Sequence, residues 1–238
     1  MAASFPPRAL ARIGGALYLI IIVLGLFGEL GVRGRVIVSG DAVATAVNLG
    51  AMESLWRIGV AAEILLLLCA TALTVIFYVL LRPVSRTLAL AATCFNVVSI
   101  AIEAVSALRL IETLFPLANA RYLAAFTPGQ RDALAYLAVR SHGFGFAVAL
   151  IFFGCVCPLL GTLICRSGFL PRAVGVLMMI AGASYLVDGF TVILAPPLAD
   201  AMFPWILLPA LVGEGSFCLW LLFKGIDLAK WNARVAAG

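Results

Sequence analysis

From Ile58 to Leu81 the chain carries one charged side chain, Glu63, among leucine, alanine, valine and isoleucine. A helix of about 20 such residues crosses the roughly 30 Å hydrocarbon layer of a bilayer. Five more runs share this character. The sequence therefore predicts spans at about 13–28, 58–81, 88–115, 143–165, 173–195 and 203–223. Backbone inside lipid must satisfy its own hydrogen bonds, which leaves helices or a closed barrel. The runs are continuous rather than alternating, so they read as helices. The predicted fold class is all-α: a polytopic membrane protein with six transmembrane helices in one bundle and a single domain over residues 1–238.

Composition excludes a soluble globule. Hydrophobic residues make up 64% of the chain and charged residues 11%, against about 25% charged in soluble domains. The net charge of +5 does not point to nucleic acid, because the cations sit at span ends and build no basic face. The N-terminal stretch has the look of a signal peptide but lacks a small-x-small cleavage site, and it reads as an uncleaved first span. All six cysteines (Cys69, Cys94, Cys155, Cys157, Cys165 and Cys218) fall inside the predicted spans. Cys155 and Cys157 project to different helix faces, which suits apolar packing better than metal binding.

Two short connections, RPVSR (82–86) and RSGFLPR (166–172), each hold two arginines and no acid. The positive-inside rule places both in the cytoplasm, and with them both termini. Arg8, Arg12, Lys224, Lys230 and Arg234 then lie on the same side, with Asp227 as the one acid there. The outer connections are longer. The first, 31–55, is predicted to carry a surface helix near 42–53; the second, 116–133, reads as loop; the third holds Pro196 and Pro197, with Trp205 as an interface anchor. A weak internal repeat relates 82–103 to 166–188, each an arginine-flanked turn and a helix ending on a carboxylate, Glu103 or Asp188.

Ionisable residues inside spans are costly and point to function. Counting at 1.5 Å per residue from the inner boundary puts Glu29, Glu103 and Asp188 at roughly 22–24 Å, Glu63 at roughly 27 Å and Glu214 at roughly 13 Å. Arg57, Arg109 and His142 fall near the outer boundary, at roughly 30 Å. Asn96, Ser99, Glu103, Ser106 and Arg109 form one stripe of the third span, and Ser184, Asp188 and Thr191 one stripe of the fifth. The plainer reading pairs Arg57 with Glu63 and Arg109 with Glu112 as ordinary surface ion pairs, and lets His142 bond a carbonyl. The functional reading gathers Glu29, Arg57, Glu63, Asn96, Glu103, Arg109, His142, Asp188 and Glu214 into an outward-facing pocket. Five carboxylates against two arginines and one histidine leave a surplus of negative charge, to be met by protonation, with Glu214 the first candidate, or by a bound cation.

The stretches ARIGGALYLIIIVLGLFGEL, WRIGVAAEILLLL, YVLLRPVSRTLALAA, SHGFGFAVALIFFG, RSGFLPRAVGVLMMIAGASYLVDGF and GEGSFCLWLLFKG together resemble the bacterial membrane-protein family of domain of unknown function 4386. The resemblance covers most of the chain and is weakest in the outer loops. It implies a six-helix protein of the bacterial inner membrane and brings no activity with it.

Three functions compete. The first is binding of a small molecule, cation or lipid headgroup. The second is a membrane-embedded enzyme at the outer leaflet, for instance a metal-assisted hydrolase. For this, Glu63, Glu103, His142 and Asp188 are the metal candidates, although no metal is assigned and no HExxH or GxSxG motif is present. The third is a structural or accessory subunit. The bilayer is the expected partner and nucleic acid is not. The sequence specifies no cofactor and no oligomeric state.

Overall fold

The computed structural model describes residues 6–237, with side chains to 236. Among them it is all-α, without a strand. Helix α1 (Pro7–Leu26) continues through a π-helical segment (Phe27–Arg33) into a final turn, α2 (Gly34–Val36). Helices α3 (Ala42–Ala51), α4 (Glu53–Leu81) and α5 (Arg86–Glu112) follow, then a 3₁₀ turn (Arg121–Ala125) and α6 (Pro128–Ser167). Helices α7 (Arg172–Leu194), α8 (Pro196–Met202), α9 (Leu208–Phe223) and α10 (Leu228–Ala237) complete the order, with a 3₁₀ turn (Trp205–Leu207) before α9. Six segments are long and apolar enough to cross a membrane: Pro7–Val36, Glu53–Leu81, Arg86–Glu112, Pro128–Ser167, Arg172–Leu194 and Trp205–Phe223. Their outward faces present Leu68, Val75, Val105 and Val187, each at least half exposed. Such faces fit hydrocarbon rather than water. The protein is thus a multi-pass membrane protein.

Two helix ends depart from the sequence reading. The first span runs past Gly28 to Val36, because the π turn carries the helix through the glycines instead of ending there. Helix α6 starts at Pro128, well before the predicted 143, and takes up part of the predicted second outer loop. Its start is a capping box. Gln130 N–H donates to Thr127 Oγ1 at 3.4 Å, and Thr127 N–H donates to Gln130 Oε1 at 2.8 Å. Pro128 sits in the first turn, where its missing N–H costs nothing. The surface helix predicted near 42–53 forms as α3, with Asp41 Oδ1 accepting from Ala44 N–H at 2.9 Å.

The packing divides into two compact units. The first comprises the chain up to Ile21, Cys69–Ile100 and everything from Ala147 onward. The second comprises Ile22–Leu68 and Ala101–Phe146. Helices α1, α4, α5 and α6 contribute to both, whereas α7 and α9 belong to the first alone.

The first unit is sealed by glycine. Gly175, Gly182 and Gly189 recur every seventh residue on α7 and face Gly161, Gly154 and Ala147 on α6. A Cβ at Gly161 would stand 2.5 Å from Gly175 O, and one at Gly182 would stand 2.7 Å from Gly154 O. Small residues let backbones approach where lipid supplies no hydrophobic drive for association. Gly154 O is also the carbonyl whose helical donor Pro158 removes. Gly213 on α9 packs in the same way against Leu177 O of α7.

The second unit closes around Trp56. Its ring is buried with Val32, Val36, Leu49, Val60, Leu110, Ala135 and Val139. Its Nε1–H donates to Leu110 O at 2.8 Å.

Candidate functional site

The second unit holds a buried ion cluster. Arg33 is at the end of the π turn, one turn beyond Glu29. Its Nε–H donates to Glu29 Oε2 at 2.9 Å, and its Nη1–H donates to Glu63 Oε2, on α4, at 3.1 Å. Arg33 and Glu63 are nearly enclosed, with side chains 12% and 3% exposed, while Glu29 is 44% exposed. One guanidinium thus bridges two carboxylates and leaves the group of three at a formal charge of −1. In each carboxylate Oε1 takes no hydrogen bond from a described residue. π-helical turns are rare, and they recur where a side chain must be re-aimed for function. The close passage of α1 and α4 is set by small residues: a Cβ at Gly59 would lie 2.8 Å from Val32 Cγ1.

His142 lies in the same unit, and Arg33, Glu63 and Glu29 all reach it electrostatically. Its protonation pattern follows from its neighbours. The Ser106 hydroxyl donates to His142 O at 2.8 Å, so its proton is committed there. Nδ1 lies 3.2 Å from both Ser106 Oγ and Ser106 O. A carbonyl only accepts, so Nδ1 carries the hydrogen and the lone pair of the neutral ring sits on Nε2. Gly145 makes this possible, since a Cβ there would stand 2.6 Å from Ser106 Oγ. Gly143 meets nothing within 4 Å.

The first unit holds a different acid. Glu214 on α9 is buried, and Tyr18 on α1 donates to its Oε2 at 2.9 Å. Tyr185 on α7 donates to Oε1. Phe77 and Phe217 surround the Tyr18 ring, with centroids 5.8 and 6.2 Å away. Among the described residues no cation pairs with Glu214. Asp188, also in this unit, is buried on α7. Its stripe neighbours Ser184 and Thr191 bond their own helix, at Ala181 O and Val187 O, rather than the carboxylate.

The predicted pocket residues therefore divide. Glu29, Glu63, Glu103 and His142 fall in the second unit, and Asn96, Asp188 and Glu214 in the first. Glu103 and Asp188, the two ends of the suspected repeat, are separated by this division. Arg57 does not reach Glu63. It pairs with Glu53 at 2.7 Å, one turn away on the same face, while Glu63, six residues on, points about 120° away around the helix. Arg109 pairs with Glu112 at 2.7 Å, the surface pairing of the plainer reading. Asn96 donates to Thr74 Oγ1 at 2.7 Å, and Ser99 donates to Ala149 O at 2.8 Å, so the N-terminal part of the α5 stripe joins helices. Among the described residues no three His, Cys, Asp or Glu are grouped to hold a metal, and the candidates Glu63, Glu103, His142 and Asp188 are no exception. Sequence reasoning missed Arg33, placed in a loop because the helix was ended at Gly28. The four-residue spacing from Glu29 was the available signal.

A family described as domain of unknown function (DUF4386) matches over residues 13–225. An uncharacterised protein of Archaeoglobus fulgidus is 26% identical over 169 residues, covering 70% of this chain and 83% of that protein. No solved structure matches.

Proposed function

Since the chain belongs to the DUF4386 family, whose description carries no activity, we propose a function from its own charges: binding of a small cation at the Glu29–Arg33–Glu63 cluster. The protein would sit in the bacterial inner membrane with both termini in the cytoplasm, as the arginine-flanked connections suggest. The cluster would then face the outer leaflet, since Glu63 lies roughly 27 Å along α4 from its inner end. The observation that carries this reading is the charge count. Two carboxylates share one arginine, and each keeps an oxygen that no described residue occupies. A net negative charge in a low-dielectric site is unfavourable until a cation or proton joins it. Partly exposed Glu29 gives access, and buried Glu63 gives strength. His142, with its Nε2 lone pair, is the adjacent group able to exchange a proton as the cation enters.

The test is titration of purified protein in lipid nanodiscs with methylammonium, tetramethylammonium and sodium, read as a shift in melting temperature. A saturable rise is expected with at least one of them. Glu29→Gln, which removes a half-exposed carboxylate and should fold, is expected to weaken that response at least tenfold. Glu112→Gln, in an exposed pair, should leave it unchanged. A wild-type protein indifferent to all three cations, or a Glu29→Gln protein that titrates like wild type, would overturn the proposal.

A further inference from the structure

A second site lies in the first unit, at the connection between α6 and α7. The chain reverses there through Gly168, at φ +73°, a left-handed conformation that glycine adopts without strain. Ser167 Oγ donates to Ile164 O at 2.8 Å and accepts from Leu170 N–H at 3.1 Å, which fixes the turn locally. Beside it opens a cavity of about 420 Å³, lined by Val84, Cys165, Arg166, Gly168, Arg172 and Arg234.

Helix α10 supplies one wall and is held in place by three bonds. Asp227 N–H donates to Phe169 O at 3.3 Å. Trp231 Nε1–H donates to Leu80 O at 3.0 Å, and Arg234 Nη2–H donates to Arg166 O at 2.7 Å. The last bond occupies one of the five N–H donors of Arg234 and leaves the rest of the fork available.

Three arginines and no acidic residue line the cavity. None of the three arginines is in an ion pair with a described residue, although the chain forms such pairs elsewhere with Arg33, Arg57 and Arg109. Arg172 also opens α7, whose N-cap, Pro171, offers no side chain to the first-turn N–H groups. The positive end of that helix adds to the arginines. These three exposed arginines, each on a separately anchored element, leave their remaining N–H donors to water unless an anion shares them. Guanidinium forks match the oxygens of a phosphate in geometry as well as charge.

We propose that this cavity binds a phosphate-bearing anion. The group can belong to an anionic lipid headgroup, reached where α6 and α7 end at the membrane surface, or to a soluble phosphate. Both present the same oxygens to Arg166, Arg172 and Arg234. The site is separate from the Glu29–Arg33–Glu63 cluster, shares no residue with it, and stands whether or not that cluster binds a cation.

Native mass spectrometry of the full-length protein tests this, with phosphatidylglycerol or phosphatidylcholine added to the detergent-solubilised chain. Retention of one phosphatidylglycerol is expected, at least tenfold above phosphatidylcholine. Arg172→Gln is expected to lower that retention roughly fivefold, the worth of one basic side chain at an anionic surface. Arg234→Gln should act similarly but also loosens α10, so Arg172→Gln is the cleaner variant. Arg86→Gln, at the first residue of α5 and outside the cavity lining, should change retention less than twofold. Displacement of the lipid by millimolar inorganic phosphate would identify a soluble anion as the occupant, and resistance to it would identify the lipid; either supports the site. Retention unchanged in Arg172→Gln, or lost equally in Arg86→Gln, would show that diffuse positive charge alone attracts the lipid and would overturn the proposal.

Discussion

The two packing units are cut from the same kind of sequence, yet they hold themselves together differently. In the first, backbone meets backbone: Gly161, Gly175, Gly182 and Gly189 bring α6 and α7 to a separation that no side chain could share. Its buried acid, Glu214, is met by two phenol hydroxyls and ringed by aromatic side chains. In the second unit, side chains do the joining, through Arg33 between two carboxylates, Ser106 against His142, and Trp56 to Leu110 O. A glycine seam offers no polar group to a ligand. An ion cluster with a surplus charge does. The comparison sets a tightly packed α6–α7 seam in one unit against an ion cluster with surplus charge in the other.

The largest expected effect breaks the seam. Gly161→Leu would drive a side chain into Gly175 O and the Met179 side chain, and no rotamer avoids the backbone. A loss above about 3 kcal/mol is expected, enough to prevent accumulation of folded protein. Gly143→Ala in the second unit meets open space and should be neutral or stabilising by up to about 1 kcal/mol, the usual helical gain of alanine over glycine. Folded yield and detergent-melting temperature measure both. Equal tolerance at the two positions would erase the distinction between the units.

Next in size is the contrast between the buried acids. Glu63→Gln replaces a charge-assisted bond to the enclosed Arg33 by a neutral one, with Glu29 still pairing the guanidinium, and is expected to cost about 2 kcal/mol. Glu214→Gln keeps the shape of a side chain whose partners are hydroxyls, which can donate to an amide oxygen and accept from its nitrogen. A cost below about 1 kcal/mol is expected there. Reversible unfolding of both variants in mixed micelles gives the comparison directly, and the reverse order would mean that the two acid sites have been assigned the wrong characters.

These contrasts mark how far the residues alone could be read. Six spans were legible because an apolar run of about 20 residues has few other fates. The early start of α6 was also written in the sequence, as Thr127 and Gln130 three apart with Pro128 between them. The π turn was not legible: Phe27–Arg33 reads as glycine-rich helix end, and its continuation depends on packing against Gly59. Depth counting assigned a height to each carboxylate but no partner across helices. Tyr18 and Glu214 are 196 residues apart, and no periodicity links them. The glycines at 175, 182 and 189 were visible as a seven-residue spacing, but only a neighbouring backbone gives that spacing meaning.

A smaller effect probes the joint between α5 and α6. Ser106→Ala removes the donor to His142 O and one acceptor of Nδ1–H, while Ser106 O still accepts. A loss of about 1 kcal/mol is expected. Cation titration should retain its amplitude, because His142 keeps its tautomer. Collapse of the titration with unchanged stability would instead make the serine hydroxyl part of the ligand site.

The smallest effect lies at α10, outside the spans. The Asp227 carboxylate accepts from Lys230 N–H at 3.2 Å and pairs with Lys230 Nζ at 3.5 Å. The backbone hydrogen bond from Lys230, more than the nearby ammonium, holds its pKa below the ordinary carboxylate value. A depressed pKa means that the folded cap binds its proton less readily than the unfolded chain. The contribution is therefore complete above the ordinary carboxylate value, about pH 3.9, and fades as pH falls through the depressed one. The side chain is exposed, so only local fraying of α10 is expected. A fluorine label on Trp231, which donates to Leu80 O, should report it as an acid-induced change in chemical shift. Asp227→Asn, which cannot titrate, should abolish that change. Because Arg234 lies on the same helix, loss of the cap should also weaken phosphatidylglycerol retention at low pH, whereas retention that ignores Asp227 would mean that Arg234 is positioned by its bond to Arg166 O alone.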